Sequence, residues 1–275
     1  MQDGRKRLTR CRPKRQGELL VGDKEFAGRT ALVTGGSRGI GRAICVRLAQ
    51  AGAWIAINYS SNPDAAAETL EQVTAAGGSG GLFQGDVASL EATDAMYDAI
   101  EAERGTVDLL VTNAGIASFD DNADMTADVW RRILSVNLDG TFHCVWRAKE
   151  RMLAQDYGRI VCISSINGIA PSRIRRDRLI AYGTSKSAVI SFSRSCAVAF
   201  GPAIRVNCVA PGLIDTDMTK DMSEEMRERI VASTPAGRTG KPEDVAELTY
   251  FLLSDAASFV TGQTYVTSGG LVTLP

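Results

Sequence analysis

The sequence predicts an α/β fold, a doubly wound parallel sheet with helices on both faces. From Arg29 onward, short apolar runs alternate with longer stretches of helical period, the signature of repeated β-α units. The short runs are apolar at almost every position, as in strands covered on both sides, rather than at every second one. Glycine, asparagine and aspartate stand where the runs end, and in such sheets ligands sit beyond the carboxyl ends of the strands.

Thr30-Ala31-Leu32-Val33-Thr34 reads as a buried strand, followed by glycines and an amphipathic helix through about Gln50. Trp54–Asn58 is a second strand and 63–76 a second helix. Gly81–Gln84 is a weaker third strand, with a helix over 90–104, and 107–112 is a fourth. A long helix over 127–153 leads into a strand at 159–164. Another helix over 181–200 leads into a strand at 204–209. The last helix covers about 243–254 and the closing strand 263–266. At 275 residues the chain has room for one large domain or two small ones, with 44% hydrophobic residues to fill a core.

Residues 1–28 differ in character. Arg5, Lys6, Arg7, Arg10, Arg12, Lys14 and Arg15 crowd a stretch with little to bury, which predicts a disordered extension outside the fold. A targeting peptide or an anionic-surface tether is the alternative. The net charge of −1 argues against a nucleic-acid binder, and no apolar run approaches the length of a membrane span. Six cysteines show no C-x-x-C spacing, and four or five of them lie in apolar runs that read as core, which suggests reduced thiols in a cytoplasmic chain. The single histidine, His143, excludes a multi-histidine metal site and histidine-based nucleophile triads; it reads as structural, and no metal site is predicted.

Chemistry concentrates at the strand ends. Thr34-Gly35-Gly36-Ser37-Arg38-Gly39-Ile40-Gly41 joins the first strand to the first helix, where glycines let a pyrophosphate reach the backbone and the helix N-terminus favours its charge. A tight turn without ligand is the plainer alternative. The second strand ends Asn58-Tyr59-Ser60-Ser61, without the acid that would accept a hydrogen bond from a ribose 2′-hydroxyl. Arg38 offers a guanidinium to a 2′-phosphate. That pairing predicts NADP rather than NAD, the alternative for Arg38 being a solvated loop charge. Asp86-Val87 places a carboxylate where an adenine amino group would lie, and Asn113-Ala114-Gly115 forms a small-residue turn suited to close cofactor approach. Ordinary turn chemistry would use the same residues.

In Ala181-Tyr182-Gly183-Thr184-Ser185-Lys186 a phenol and an ammonium lie four residues apart, on one helix face. An ammonium beside a phenol favours the phenolate and lowers its pKa, which would make Tyr182 a proton donor and acceptor.

Taken in order, Thr34–Gly41, Asp86-Val87, Asn113–Gly115, Asn137, Ser165, Tyr182-x-x-x-Lys186 and Pro211-Gly212 resemble the short-chain dehydrogenase/reductase family over about residues 29–270. Within it the 3-oxoacyl-acyl-carrier-protein reductases of fatty acid biosynthesis are the most similar branch. The resemblance implies a single Rossmann-type domain, a nicotinamide cofactor and a tetrad. Tyr182 is then the general acid in reduction and the base in oxidation. Lys186 lowers its pKa and holds the nicotinamide ribose. Ser165, chosen over Ser164 by the Ile166-Asn167-Gly168 that follows it, bonds the substrate oxygen, and Asn137 holds a water leading from Lys186 to solvent. Pro211, Gly212, Ile214 and Thr216 close over the nicotinamide carboxamide, and a helical lid over about 219–231 covers the substrate.

The resemblance also implies a homotetramer joined through the long helices on either side of the fifth strand. Two features depart from the family. The interval from Ser165 to Tyr182 is longer than usual and carries Arg173, Arg175, Arg176 and Arg178, a solvated loop or a contact to an anionic substrate or neighbouring subunit. Where carrier-docking members hold basic residues, this chain has Ala154-Gln155-Asp156 and Ala197-Val198-Ala199, which counts against docking an acyl carrier protein. The substrate types in contention are a 3-oxoacyl thioester and a sugar or polyol, with a nucleotide-sensing or scaffold protein as the non-enzymatic alternative.

Overall fold

The computed structural model describes residues 24–117, 125–170, 179–220 and 222–273. Among them seven strands form one sheet: β1 (Thr30–Val33), β2 (Trp54–Tyr59), β3 (Ser79–Gln84), β4 (Leu109–Thr112), β5 (Gly158–Ile163), β6 (Ile204–Pro211) and β7 (Thr264–Thr267). Their order is β3-β2-β1-β4-β5-β6-β7, and every pairing is parallel. The order reverses between β1 and β4, the switch point at which doubly wound sheets open a ligand crevice.

The helices are α1 (Gly39–Gln50), α2 (Pro63–Ala75), α3 (Leu90–Arg104), α4 (Ala127–Leu134), α5 (Gly140–Ala154), α6 (Ile180–Phe200), α7 (Glu224–Ala232) and α8 (Pro242–Leu253). Side chains alternate along each strand, so β1 sends Leu32 to one layer and Ala31 and Val33 to the other. The first layer collects Tyr97 and Ile100 of α3, Cys144 and Met152 of α5, and Val189 and Phe200 of α6. The second collects Ile44 and Leu48 of α1, Val73 of α2, and Leu252 and Leu253 of α8. Both faces are therefore dry, which is why the strands read as unbroken apolar runs.

Several boundaries differ from the sequence reading, and the helix read over 127–153 is split by a π-helical turn at Ser135–Asp139. The fold takes in residues 24–28, assigned above to the extension: Phe26 is buried, its N–H donates to the Ala51 carbonyl at 2.8 Å, and the Glu25 carboxylate accepts from the Tyr250 hydroxyl. One aromatic is enough to anchor a stretch whose average composition reads as disordered. β3 begins at Ser79 rather than Gly81, because backbone pairing with β2 carries through Gly80 despite its weak strand preference. Residues 107–108 do not join β4; Asp108 instead accepts from the Thr30 N–H and the Arg29 guanidinium. The arginines at 173–178 lie outside the described residues.

Five of the cysteines are described, and all are free and buried. His143 Nδ1 lies 2.9 Å from the Val87 carbonyl, a structural bond between α5 and the turn after β3. No helix among the described residues is long and apolar enough to cross a membrane.

Arg205 of β6 is 7% exposed and is a buried charge of this framework. It donates to the carbonyls of Leu252 (2.8 Å), Val260 (3.1 Å), Leu253 (3.2 Å) and Ser254 (2.9 Å), satisfying the end of α8 with a cation where the helix dipole is negative. Burial lowers its pKa to about 10, which leaves it charged at neutral pH. Arg205→Met strands these carbonyls and is expected to cost about 2–4 kcal/mol in urea unfolding; a loss below about 1 kcal/mol would contradict the assignment.

Candidate active site

The carboxyl ends of the strands open into one cleft of about 560 Å³. Gly35, Ser37, Arg38, Gly39, Ile40 and Gly41 line it from the turn between β1 and α1. Tyr59 and Ser60 line it from the end of β2, Asp86 and Val87 from the turn after β3, and Asn113, Ala114 and Gly115 from the turn after β4. Ser165, Tyr182 and Lys186 share the same cleft with Pro211, Gly212, Ile214 and Thr216. The residues nominated from sequence are thus brought together, apart from Asn137, which is fully buried behind the wall.

The glycine turn is shaped for an anion. Gly35 and Gly39 have φ of +60° and +53°, conformations costly for residues with a Cβ. A Cβ on Gly41 would sit 2.2 Å from the Gly35 carbonyl oxygen and 2.7 Å from Asn113 Nδ2, so the loop closes over the helix start because that position is bare. Asn62, Ser89, Thr126 and Ser223 cap α2, α3, α4 and α7 through their side chains. Among the described residues no side chain caps α1, and its first turn holds no acid. Its N–H groups are left for a ligand, and a pyrophosphate fits such a site.

Polar side chains hold this turn, and one of them, Asn58, was not among the site residues nominated from sequence. Asn58 Oδ1 accepts from the Gly35 N–H at 3.2 Å, while its Nδ2 donates to the Gly85 carbonyl at 3.0 Å. Thr34 Oγ1 accepts from the N–H groups of Asn113 (2.9 Å) and Ala114 (3.0 Å), and Asn113 Nδ2 donates back to the carbonyls of Thr34 and Gly35, each at 3.0 Å. An amide side chain inside an otherwise apolar strand was the available signal for Asn58. Arg38 is exposed and lies 3.9 Å from the Asp217 carboxylate. Asp86 pairs with Arg132 of α4 at 3.0 Å, a residue whose helical position concealed that it also faces the cleft.

At the nicotinamide end proposed from sequence, Lys186 is 4% exposed and its Nζ donates to the Ile163 carbonyl at the end of β5, at 2.9 Å. Nζ is 5.8 Å from the Tyr182 ring centroid. Tyr182 is half-buried and lines the cleft with Ser165. Ser164 lines the cleft beside Ser165 and donates to the Lys186 carbonyl at 2.8 Å.

Burial pushes the Tyr182 phenol above its ordinary pKa, and the Ser165 hydroxyl acts against that shift. The four-residue spacing of Tyr182 and Lys186 predicts the reverse. The ammonium donates to the Ile163 carbonyl, and desolvation of the phenol sets the direction of the shift. Burial also lowers Lys186, to about 8, leaving it mainly charged at neutral pH.

Asn137 sits in a π-helical turn, Ser135–Asp139, between α4 and α5. Its Oδ1 accepts from the Ile116 N–H at 2.8 Å, and its Nδ2 donates to the Ile116 carbonyl and to Ser185 Oγ, both at 3.0 Å. The side chain is therefore a clamp. A Cβ on Gly115 would lie 3.2 Å from Lys186 Nζ and 3.3 Å from Asn137 Oδ1, so a bare residue is what allows the β4 loop to approach both. The lid predicted over 219–231 begins as a 3-10 turn, Asp217–Thr219, with α7 beyond it, and Arg227 of α7 is tied to Asp215 and to the Thr219 carbonyl.

Lys186 has an ordinary pKa of 10.5 and a folded value of about 8, so the folded state binds this proton more weakly than the unfolded chain. Its charge therefore lowers stability at neutral pH, and the penalty fades as pH rises from 8 toward 10.5. Lys186→Met, net of the lost Ile163 bond, is expected to raise urea-unfolding stability at pH 7 by ~1–3 kcal/mol, an advantage that shrinks at pH 9.5. A variant less stable than the parent at pH 7 would contradict this balance.

A family model described as enoyl-(acyl carrier protein) reductase matches residues 35–272. L-rhamnose 1-dehydrogenase (NAD(P)(+)) of Sphingomonas sp. is 40% identical over 253 residues, covering 90% of this chain and 98% of that protein. The 3-oxoacyl-[acyl-carrier-protein] reductase FabG of Staphylococcus aureus is 36% identical over 244 residues, covering 88% and 98%. The crystal structure of a gluconate 5-dehydrogenase from Burkholderia cenocepacia in complex with NADP and tartrate superposes with a TM-score of 0.81 at 32% identity, covering 91% and 97%. With the parallel sheet and the shared cleft, these likenesses show that the chain belongs to the short-chain dehydrogenase/reductase family of nicotinamide-dependent oxidoreductases.

Proposed function

We propose that this protein is an NADPH-dependent carbonyl reductase whose leading substrate type is a 3-oxoacyl thioester. The observation that carries the chemistry is the convergence of Tyr182, Ser165 and the buried Lys186 in the cleft that also holds the open N-terminus of α1. When bound, the nicotinamide supplies the hydride. The chain's own residues manage the charge and the proton. Ser165 donates a hydrogen bond to the substrate oxygen, stabilising the negative charge that develops there. Tyr182 delivers its phenolic proton to that oxygen. Lys186 holds the nicotinamide ribose and offers a positive charge beside the phenolate left behind. Asn137 fixes the β4 loop through Ile116; the water expected beside it falls to its backbone carbonyl, which also accepts the Thr141 hydroxyl at 2.9 Å.

Support for NADPH comes from Arg38 together with a β2 end that reads Tyr59-Ser60-Ser61, without an acid. Asp86 is assigned to the adenine, and Pro211, Gly212, Ile214 and Thr216 to the nicotinamide carboxamide. Support for the thioester comes from the FabG relative. The rhamnose and gluconate dehydrogenases favour the second reading, a sugar or polyol dehydrogenase. We place the enzyme in the cytoplasm as a homotetramer. Phe142, Trp146 and Leu153 of α5 and Val198 of α6 are exposed, an apolar face suited to a second copy. Residues 1–23 are proposed as an extension outside this unit.

Fluorescence titration is expected to give at least about tenfold tighter binding of NADPH than of NADH, the scale of one charge-assisted phosphate contact; equal affinity or a preference for NADH would refute the cofactor assignment. In a panel of acetoacetyl-CoA, aldoses and polyols, turnover of acetoacetyl-CoA is expected to lead. Tyr182→Phe should lower it by about two to four orders of magnitude while NADPH still binds. Inactivity on every 3-oxoacyl thioester would eliminate the leading substrate, and turnover retained by Tyr182→Phe would refute the assigned acid.

A further inference from the structure

We infer that Ser185 is a positioning residue, the joint that locks the helix carrying Tyr182 and Lys186 to the loop that receives the nicotinamide. The inference rests on the roles given above to Tyr182 and Lys186. Ser185 lies immediately before Lys186 and is 0% exposed, so its hydroxyl meets neither solvent nor ligand directly. It donates to the Tyr182 carbonyl, one turn back in α6, at 2.7 Å. The same oxygen accepts from Asn137 Nδ2 at 3.0 Å. Asn137 in turn holds both backbone groups of Ile116, just beyond the Asn113-Ala114-Gly115 turn. A continuous chain of hydrogen bonds therefore runs from the backbone of Tyr182, through one serine oxygen and one amide, to the β4 loop.

A serine that bonds back to a carbonyl within its own helix is ordinary and bends the helix slightly. What sets Ser185 apart is the second bond, from another segment, on a hydroxyl with no access to water. Asn137 has two side-chain N–H donors, one on Ile116 and one on Ser185; without Ser185 the second is a buried donor with no acceptor. Nothing else described ties the π-helical turn to the Tyr182 backbone through side-chain hydrogen bonds. Loss of the joint would leave the fold and the phosphate turn in place while freeing the phenol and ammonium to drift relative to the cofactor loop. Positional error of that kind falls on the chemical step rather than on cofactor binding.

The test uses the intact enzyme with Ser185→Ala and Ser185→Cys, the thiol being of similar shape but a weak acceptor. Both are expected to bind NADPH within about twofold of the parent, while kcat falls ~10–100-fold in Ser185→Ala and less in Ser185→Cys. The solvent deuterium isotope effect on kcat should rise, because proton transfer becomes more nearly rate-limiting. Tyr182→Phe run in parallel separates failures: if it retains turnover, the underlying assignment fails whatever Ser185 does. With Tyr182→Phe inactive, kcat within twofold of the parent in Ser185→Ala would overturn the inference. So would lost activity that tracks lost folded protein with an unchanged isotope effect, since that marks a merely structural serine. If Ser185→Ala does not fold, Ser185→Cys carries the same comparison.

Discussion

The hydrogen bond from the Lys186 ammonium to the Ile163 carbonyl is the contact around which the site is arranged. A buried cation must be solvated by the protein itself, and the carbonyl at the end of β5 is placed to do so by the parallel sheet. Ser164 reinforces the junction by donating to the Lys186 carbonyl, and a Cβ on Gly168 would lie 2.8 Å from that same oxygen. Strand end, following turn and helix are thereby fixed against one another. Tyr182 follows from its place one turn earlier in the same helix, and the β4 loop follows because Gly115 lets it approach the ammonium. The arrangement lowers stability in exchange for a charge held at a defined point, as functional sites commonly do.

Much of the fold was legible because parallel sheets write themselves locally. Strands covered on both faces read as apolar runs, and the helices between them carry a regular period. The glycine turn and the Tyr182-x-x-x-Lys186 pair were legible for the same reason, since their spacing along one turn or one helix is their geometry. What escaped depends on partners far away in sequence. Asn58 supports Gly35 and Gly85 across two strand ends, Asn137 meets Ile116 and Ser185, and Arg205 satisfies the end of α8. Phe26 pins residues that composition assigns to a tail. The direction of the Tyr182 shift was misread because the spacing shows that an ammonium is near but not where it points, and a buried phenol feels desolvation before it feels a charge aimed elsewhere.

The two ends of the cleft are joined by a few polar side chains rather than by a continuous polar wall. Thr34 and Asn113 bind the glycine turn to the β4 loop, Asn137 binds that loop to the π-helical turn, and Ser185 carries the connection to α6. Of these only Asn113 lines the cleft, while Thr34, Asn137 and Ser185 are buried and hold its loops from behind. The segment that follows β6 is anchored separately, with Asp215 bonded to both Arg227 and Thr239.

The most direct test of this account is a crystal structure of the protein with NADP bound. The account predicts the pyrophosphate on the N–H groups at Gly39–Gly41, the 2′-phosphate beside Arg38, and the nicotinamide ribose hydroxyls within hydrogen-bonding distance of Lys186 Nζ. A well-ordered cofactor whose nicotinamide ribose lies away from Lys186 would contradict it.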